Sequence, residues 1–260
     1  MSEMELSHAW LIGIAAFAAG AMNSVAGGGT FFSFPALLAV GVPPVMANAS
    51  NAVALWPASF TGVAAYRREI ARYRRMLPPL TAAAFLGGLA GGLLLLATHD
   101  NTFSKLIPWL LALATVLFAF SAQVSRLAAR VLPPRSDDPH APMSAGGLLF
   151  QLAVSVYGGF FGAGMGILMI ASLAIQGHTD VQEMNALKNW LSAVIYSVAV
   201  VTFIIAGAVS WPHTLIMIVT AALGGYWGAA MARRIPALWL RRVIILVGSV
   251  LSAYYFHKTL

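Results

Sequence analysis

Asn185-Ala-Leu-Lys188-Asn189 sits inside an apolar run, and its reading decides the fold. From His178 to Trp211, Lys188 is the only lysine or arginine, and the nearest acids, Asp180 and Glu183, stand together at the front of the run. A lysine in that setting costs roughly 2.5–3.5 kcal/mol on insertion scales, so it faces a protein interior or a wet cavity rather than lipid. On a helix Asn185 shares its face, and Asn189 neighbours Asn185 at i,i+4. The stretch reads as half of a polar site in a membrane protein.

Composition agrees. The chain is 60% hydrophobic and 9% charged, with mean hydropathy +0.82. Several runs exceed the roughly 20 apolar residues that a crossing helix needs. The acidic start, Met1-Ser-Glu3-Met-Glu5, lacks the basic segment that opens a signal peptide, so no cleavage is expected. The chain has no cysteine, which excludes thiolate metal sites and a cysteine nucleophile. The net charge of +7 does not imply nucleic acid, because twelve of the fifteen basic residues fall in three short loops between apolar segments. That is the signature of cytoplasmic loops.

From the start of the chain, the apolar blocks are Ala9 to about Gly41, Val45–Tyr66, Met76–Thr98 and Phe103–Val124. The stretch Arg126–Met143, with Pro133-Pro134, Asp137-Asp138, Pro139 and Pro142, reads as an exposed linker. The pattern then restarts with Ser144–Gln176, Val181–Ala206, His213–Ala232 and Leu238–Phe256. Asn48-Ala-Ser50-Asn51 falls on Asn185-Ala-Leu-Lys188 at an offset of 137, as Leu86-Gly87-Gly88-Leu-Ala-Gly91 falls on Leu223-Gly224-Gly225-Tyr-Trp-Gly228. Gly28 and Gly41 fall on Gly164 and Gly177 at 136. The organisation is therefore two homologous four-segment halves, residues 1–125 and 144–260, joined by a cytoplasmic linker at 126–143.

The first block of each half holds about 33 residues, which as one helix would be roughly 50 Å long, against a core of about 30 Å. Each is interrupted by glycine, at Gly27-Gly28-Gly29 and at Gly162-Ala-Gly164-Met-Gly166. Splitting there leaves legs of about 14–17 residues, and a re-entrant-like helical hairpin at the head of each half. If both hairpins enter and return on one side, all three basic loops lie inside and the halves are inverted, a plan used by secondary transporters. The competing reading is eight plain spans, with Arg233, Arg234, Arg241 and Arg242 outside.

The glycine segment ending in Pro35, the Gly41-Val-Pro-Pro turn, the Ala-x-Ala-Ser50 helix start and the basic loop after Tyr66 resemble the TauE/SafE family. The second half, with Gly162-Ala-Gly164-Met-Gly166 and Asn185-Ala-Leu-Lys188-Asn189, is similar to that family's second repeat, although Ala163 and Met165 dilute its glycine motif. The resemblance implies export of sulfite, sulfoacetate or related organosulfonates by a multi-pass protein of the inner membrane.

The physics of the residues accords with an anion. Glycine turns expose backbone N–H groups, and a half-helix starting there presents its positive end. Lys188 supplies formal charge, Asn48, Ser50, Asn51, Asn185 and Asn189 neutral donors, and Gly28, Gly29, Gly164 and Gly166 the close approach, with Asn23 and Thr30 lining the first turn. The plainer readings are that Lys188 locks packing and that the asparagines are interhelical glue. Thr179-Asp-Val-Gln182 fits a capping box, with Asp180 and Glu183 in the first turn and proton coupling through Glu183 as the lesser reading. Trp56 and Trp190 read as packing, and the pairs Gly87/Gly91, Gly88/Gly92 and Gly224/Gly228 as close helix contacts. The expected partners are a small anion and the lipid bilayer, with a homodimer left open and no cofactor or nucleic acid. A facilitator for another small anion or carboxylate, and an intramembrane enzyme, are the competing classes. Against the enzyme stand the missing His-Glu-x-x-His and cysteine.

Overall fold

The computed structural model describes residues 3–26, 28–74, 76–131, 145–176, 178, 180–231 and 237–259. They form helices, with no strand among the described residues. The first half holds α1 (Glu3–Ala26), α2 (Thr30–Ala39), α3 (Pro44–Ala65), α4 (Arg67–Arg72), α5 (Leu77–Ala97) and α6 (Asp100–Val131). The second holds α7 (Ala145–Phe160), α8 (Met165–Ile175), α9 (Val181–Ile205), α10 (Trp211–Met231) and α11 (Ala237–Thr259). Four of these are long and apolar enough to cross a membrane, at Leu6–Asn23, Leu77–Ala97, Asp100–Phe120 and Gln182–Ile205. The chain is an all-helical, polytopic membrane protein. By the 136–137 offset, α1, α2, α3, α5 and α6 correspond to α7, α8, α9, α10 and α11, while α4 has no counterpart.

The glycines break the first block of each half where expected, but only α7 has a leg of the expected 14–17 residues. α1 has 24 residues and α2 10, whereas α7 has 16 and α8 11. α1 begins earlier than the apolar block, at Glu3, so this first leg is about 36 Å long and can cross alone. The second legs, near 15–17 Å, cannot. In the second hairpin Gly162 and Gly164 take φ values of +78° and +74°, a left-handed backbone in which a side chain is strained. Gly27, Gly177 and Thr179 lie outside the described residues, as does 132–144 of the expected linker. Its first residues, 126–131, continue α6.

Contacts orient each helix. α3 and α9 pack antiparallel: Ser50 meets Ser210 just beyond α9, Trp56 meets Ser197, Gly62 meets Asn189, and Tyr66 meets Gln182. α6 and α11 are antiparallel too, with Trp109 on Phe256, Thr115 on Gly248 and Phe118 on Arg241. α1 runs parallel to α10, Phe17 on Gly224 and Ala21 on Gly228, and α7 runs parallel to α5, Ser155 on Gly87 and Phe160 on Gly91. At Gly224 a methyl group would overlap the Phe17 carbonyl oxygen, and at Gly91 that of Val156. These spacings serve backbone approach, as the small-residue pattern predicted.

α2 lies parallel to α11, with Gly28 on Ile244 and Phe31 on Gly248, and so returns towards the end at which α1 began. α8 returns likewise: at its far end Gln176 Nε2 donates to the Gly147 carbonyl near the start of α7, and Leu173 and Ala174 pack with Tyr73 and Leu77. Both hairpins therefore open on the end they close on. One end of the molecule gathers the starts of α1, α3, α6 and α10, where Val45 N–H donates to Asp100 Oδ1 (2.8 Å). The opposite end gathers α4, the end of α6 and the start of α11, and is termed the arginine face below. The core at the hairpin junction is aromatic, Phe34 packing edge-on against both Phe103 and Phe161.

Candidate functional site

Five helices converge on the second glycine turn. Asn48 of α3 donates from Nδ2 to the Phe160 carbonyl (2.8 Å), the last residue of α7. Tyr157 of α7 donates its hydroxyl to the Ala163 carbonyl (2.6 Å). From α6, Ala114 abuts Gly164, and from α9 the Tyr196 ring and hydroxyl lie against Gly162. About two turns earlier on α9, the Lys188 methylene chain lies against Gly166 in the first turn of α8. No side chain caps α8; the Met165 and Ile167 N–H groups donate to the Gly162 and Gly164 carbonyls of the turn itself, so no charged group offsets the positive end of the helix there.

Lys188 is half-buried and makes no hydrogen bond or ion pair among the described residues. Its pseudo-equivalent, Asn51, is in the opposite condition. Asn51 Nδ2 donates to Thr30 Oγ1 (3.3 Å), and Asn51 Oδ1 accepts from Ser33 Oγ, which also donates to the Gly29 carbonyl (3.2 Å). Asn51 is 2% exposed and its amide is consumed in tying α3 to the start of α2. Two similar scaffolds thus carry different chemistry. The first turn is closed by a neutral Asn51–Ser33–Thr30 network, and the second faces an unpartnered cation.

The other expected site residues divide between these places. Gly28, Gly29, Asn23 and Thr30 belong to the first turn, Gly28 against Ile244 and Gly29 against Ala19 and Asn23. Ser50 lies away from both turns and accepts from Ser210 N–H (2.9 Å), joining α3 to the start of α10. Asn189 sits on Gly62 at the α3–α9 crossing, and neither it nor Asn185 makes a side-chain hydrogen bond among the described residues. Asn48 is buried with Oδ1 unpaired. Trp56 Nε1 donates to Ser197 Oγ (2.9 Å) and Trp190 Nε1 to Thr81 Oγ1 (2.8 Å), so both indoles serve packing between helices.

The cap of α9 is displaced by one residue from its expected place. Asp180 takes the extended backbone, and its Oδ1 accepts from Gln182 N–H (2.7 Å) and Glu183 N–H (3.2 Å). Glu183 does not reach back to complete a capping box. Its carboxylate instead joins the buried His178 Nδ1 and the Tyr73 hydroxyl at the arginine face. Burial, reinforced by Glu183 beside it, pushes the Tyr73 hydroxyl up to about 12, so it stays protonated and donates. His178 Nε2 is buried with no partner.

Tyr157, Tyr196, Ser33 and the His178–Glu183–Tyr73 cluster escaped the sequence reading. Ser33 had a signal, since it follows Thr30 at i+3 and so shares its face. Tyr196 had none without the location of the turn it touches.

Residues 12–255 match the family model described as "Sulfite exporter TauE/SafE". The chain is also similar to a "Probable membrane transporter protein" of Haemophilus influenzae, 26% identical over 91% of this chain and 90% of that one. The "Probable membrane transporter protein YfcA" of Escherichia coli is 25% identical over 92% of this chain and 86% of its own. The "Probable membrane transporter protein ORF9" of a Sinorhizobium species is 25% identical, over 92% and 88%. No solved structure matches the chain.

Proposed function

Because this chain belongs to the TauE/SafE family and is a multi-pass membrane transporter, not an enzyme, we propose that it exports small sulfur-containing anions. The substrates in this reading are sulfite, sulfoacetate or a related organosulfonate, bound between Lys188 and the start of α8. The observation that carries it is an unpaired lysine lying against the uncapped amino-terminal end of a half-helix inside the membrane. An intramembrane cation is expensive, and a cation without a protein partner is poised for a ligand that supplies the missing charge. The positive end of the α8 dipole favours the same sign.

We further propose that the halves are inverted repeats in the inner membrane, with the arginine face cytoplasmic. Antiparallel packing of the equivalent pairs α3/α9 and α6/α11 supports inversion, and the exposed Arg67, Arg68 and Arg72 support the orientation. An anion leaving a negative interior gains roughly 2.3 kcal/mol per 100 mV, enough to drive export without a coupled ion. The His178–Glu183 pair favours one second reading, a proton-coupled carrier for a small anion or carboxylate. At constant membrane potential, export by the uniporter is indifferent to the pH gradient, whereas the coupled carrier follows it.

The first test is thermal shift of purified protein with sulfite, sulfoacetate and taurine, wild type beside Lys188→Ala. Stabilisation by the acidic sulfur anions, lost in the variant, is expected. Absence of any shift for all three would return Lys188 to a packing role.

A further inference from the structure

The molecule carries a second built feature, far from the glycine turns. A groove of about 650 Å³ runs along the first turns of α5, with Arg74 at its mouth and Leu77, Phe85 and Leu86 along its wall. Trp190 of α9 and Thr81 form its back, already joined by their own hydrogen bond. Apart from Thr81 the rest of the lining is apolar, and Arg74 is its single charge. Arg74 is exposed and makes no ion pair among the described residues. The neighbouring Arg67, Arg68 and Arg72 are exposed too, with Glu69 the sole acid between them.

We propose that this groove binds one anionic phospholipid, its phosphate on Arg74 and an acyl chain against Phe85, Leu86 and Trp190. Length argues for a lipid. From Leu77 to Leu86 the groove follows α5 for about 14 Å, close to half of a hydrocarbon core of about 30 Å, which is the depth of one leaflet. Polarity runs in the same order, with a cation at the end where the arginine loop emerges and apolar surface towards the middle. A free phosphate would leave that apolar length uncovered, and a second copy seated there would strand the guanidinium against an apolar helix face. The excess of arginine concentrates anionic headgroups at this face, each basic residue contributing a factor on the order of fivefold.

Brominated lipids test it, because bromine on an acyl chain quenches a tryptophan it touches. The full chain is reconstituted in phosphatidylcholine vesicles containing a small fraction of brominated phosphatidylglycerol or brominated phosphatidylcholine. Trp190 emission is isolated as the difference between wild type and Trp190→Phe. The expected result is half-maximal quenching by brominated phosphatidylglycerol at a several-fold lower mole fraction than by brominated phosphatidylcholine. Arg74→Gln abolishes that preference, and Arg67→Gln, outside the groove, retains it. Equal quenching by the two lipids would overturn the proposal, as would a preference that survives Arg74→Gln. Native mass spectrometry of the detergent-solubilised chain supplies a second reading. One phosphatidylglycerol retained by wild type and released by Arg74→Gln agrees with the site, and equal retention by both counts against it.

Discussion

At the scale of the residue, the contrast between Asn51 and Lys188 governs what substitutions do. Both amide atoms of Asn51 are engaged, and Asn51→Ala removes its bonds to Thr30 and Ser33, leaving Ser33 only the Gly29 carbonyl, at a cost of about 1 kcal/mol in a membrane interior. Lys188 makes no hydrogen bond or ion pair among the described residues. Lys188→Met, which keeps the chain volume and removes the charge, is expected to hold or raise the melting temperature while abolishing stabilisation by sulfite. A lysine that served packing would give the reverse, a lower melting temperature. Tyr73 offers a pH prediction outside the membrane. Its folded pKa of about 12 exceeds the unfolded value of 10.0, so its contribution is present below pH 10 and lost as pH rises from there through about 12. Tyrosinate absorbance of wild type minus Tyr73→Phe is expected to rise near pH 12; a rise near pH 10 would mean that neither burial nor Glu183 holds the hydroxyl protonated.

At the scale of the element, legibility was uneven for physical reasons. The glycine breaks were readable because an apolar run too long for the bilayer must be interrupted, and Gly162 and Gly164 adopt a backbone other residues resist. Leg lengths were not, since Glu3–Ala26 extends helix through residues too polar to be counted as membrane. The α9 start at Val181 was readable, but its cap residue was not, because Thr179 and Asp180 are both good caps by residue type. Once Asp180 takes that place, Glu183 is free for His178. Tyr196 enters the site through a tertiary contact that no spacing in the sequence encodes, whereas Ser33 shares a helix face with Thr30. The parallel pairs α1/α10 and α5/α7 rest on glycine against backbone, so Gly91→Ala and Gly224→Ala should each cost about 1–3 kcal/mol through overpacking. Gly146→Ala, with open space around it, should be near neutral, and thermal denaturation of the three variants in detergent measures the difference.

At the scale of the whole molecule, the distribution of charge and the direction of the helices agree. Arg68 and Arg242 lie at one end and Lys258 at the other, as the returning hairpins require. Eight plain spans would separate Arg68 from Arg242. Because the chain has no cysteine, single substitutions to cysteine can be labelled without background. Arg68→Cys and Arg242→Cys are expected to react with an impermeant maleimide from one side of sealed vesicles, and Lys258→Cys from the other. Labelling of Arg68→Cys and Arg242→Cys from opposite sides would refute the hairpin arrangement.

The crossed pairing of α1 with α10, and of α7 with α5, also bears on how the protein is made. α1 leaves the ribosome well before its partner, with some 185 residues between Ala26 and Trp211. At roughly 5–20 residues per second that is a wait of about 10–40 s. Through this interval the flank of α1 that bears Gly20 has only lipid or the insertion machinery to cover it, and neither matches the close backbone contact that α10 later supplies. Neither half is a finished body by itself: each lends its first helix to the other, and assembly is completed only when the last third of the chain arrives.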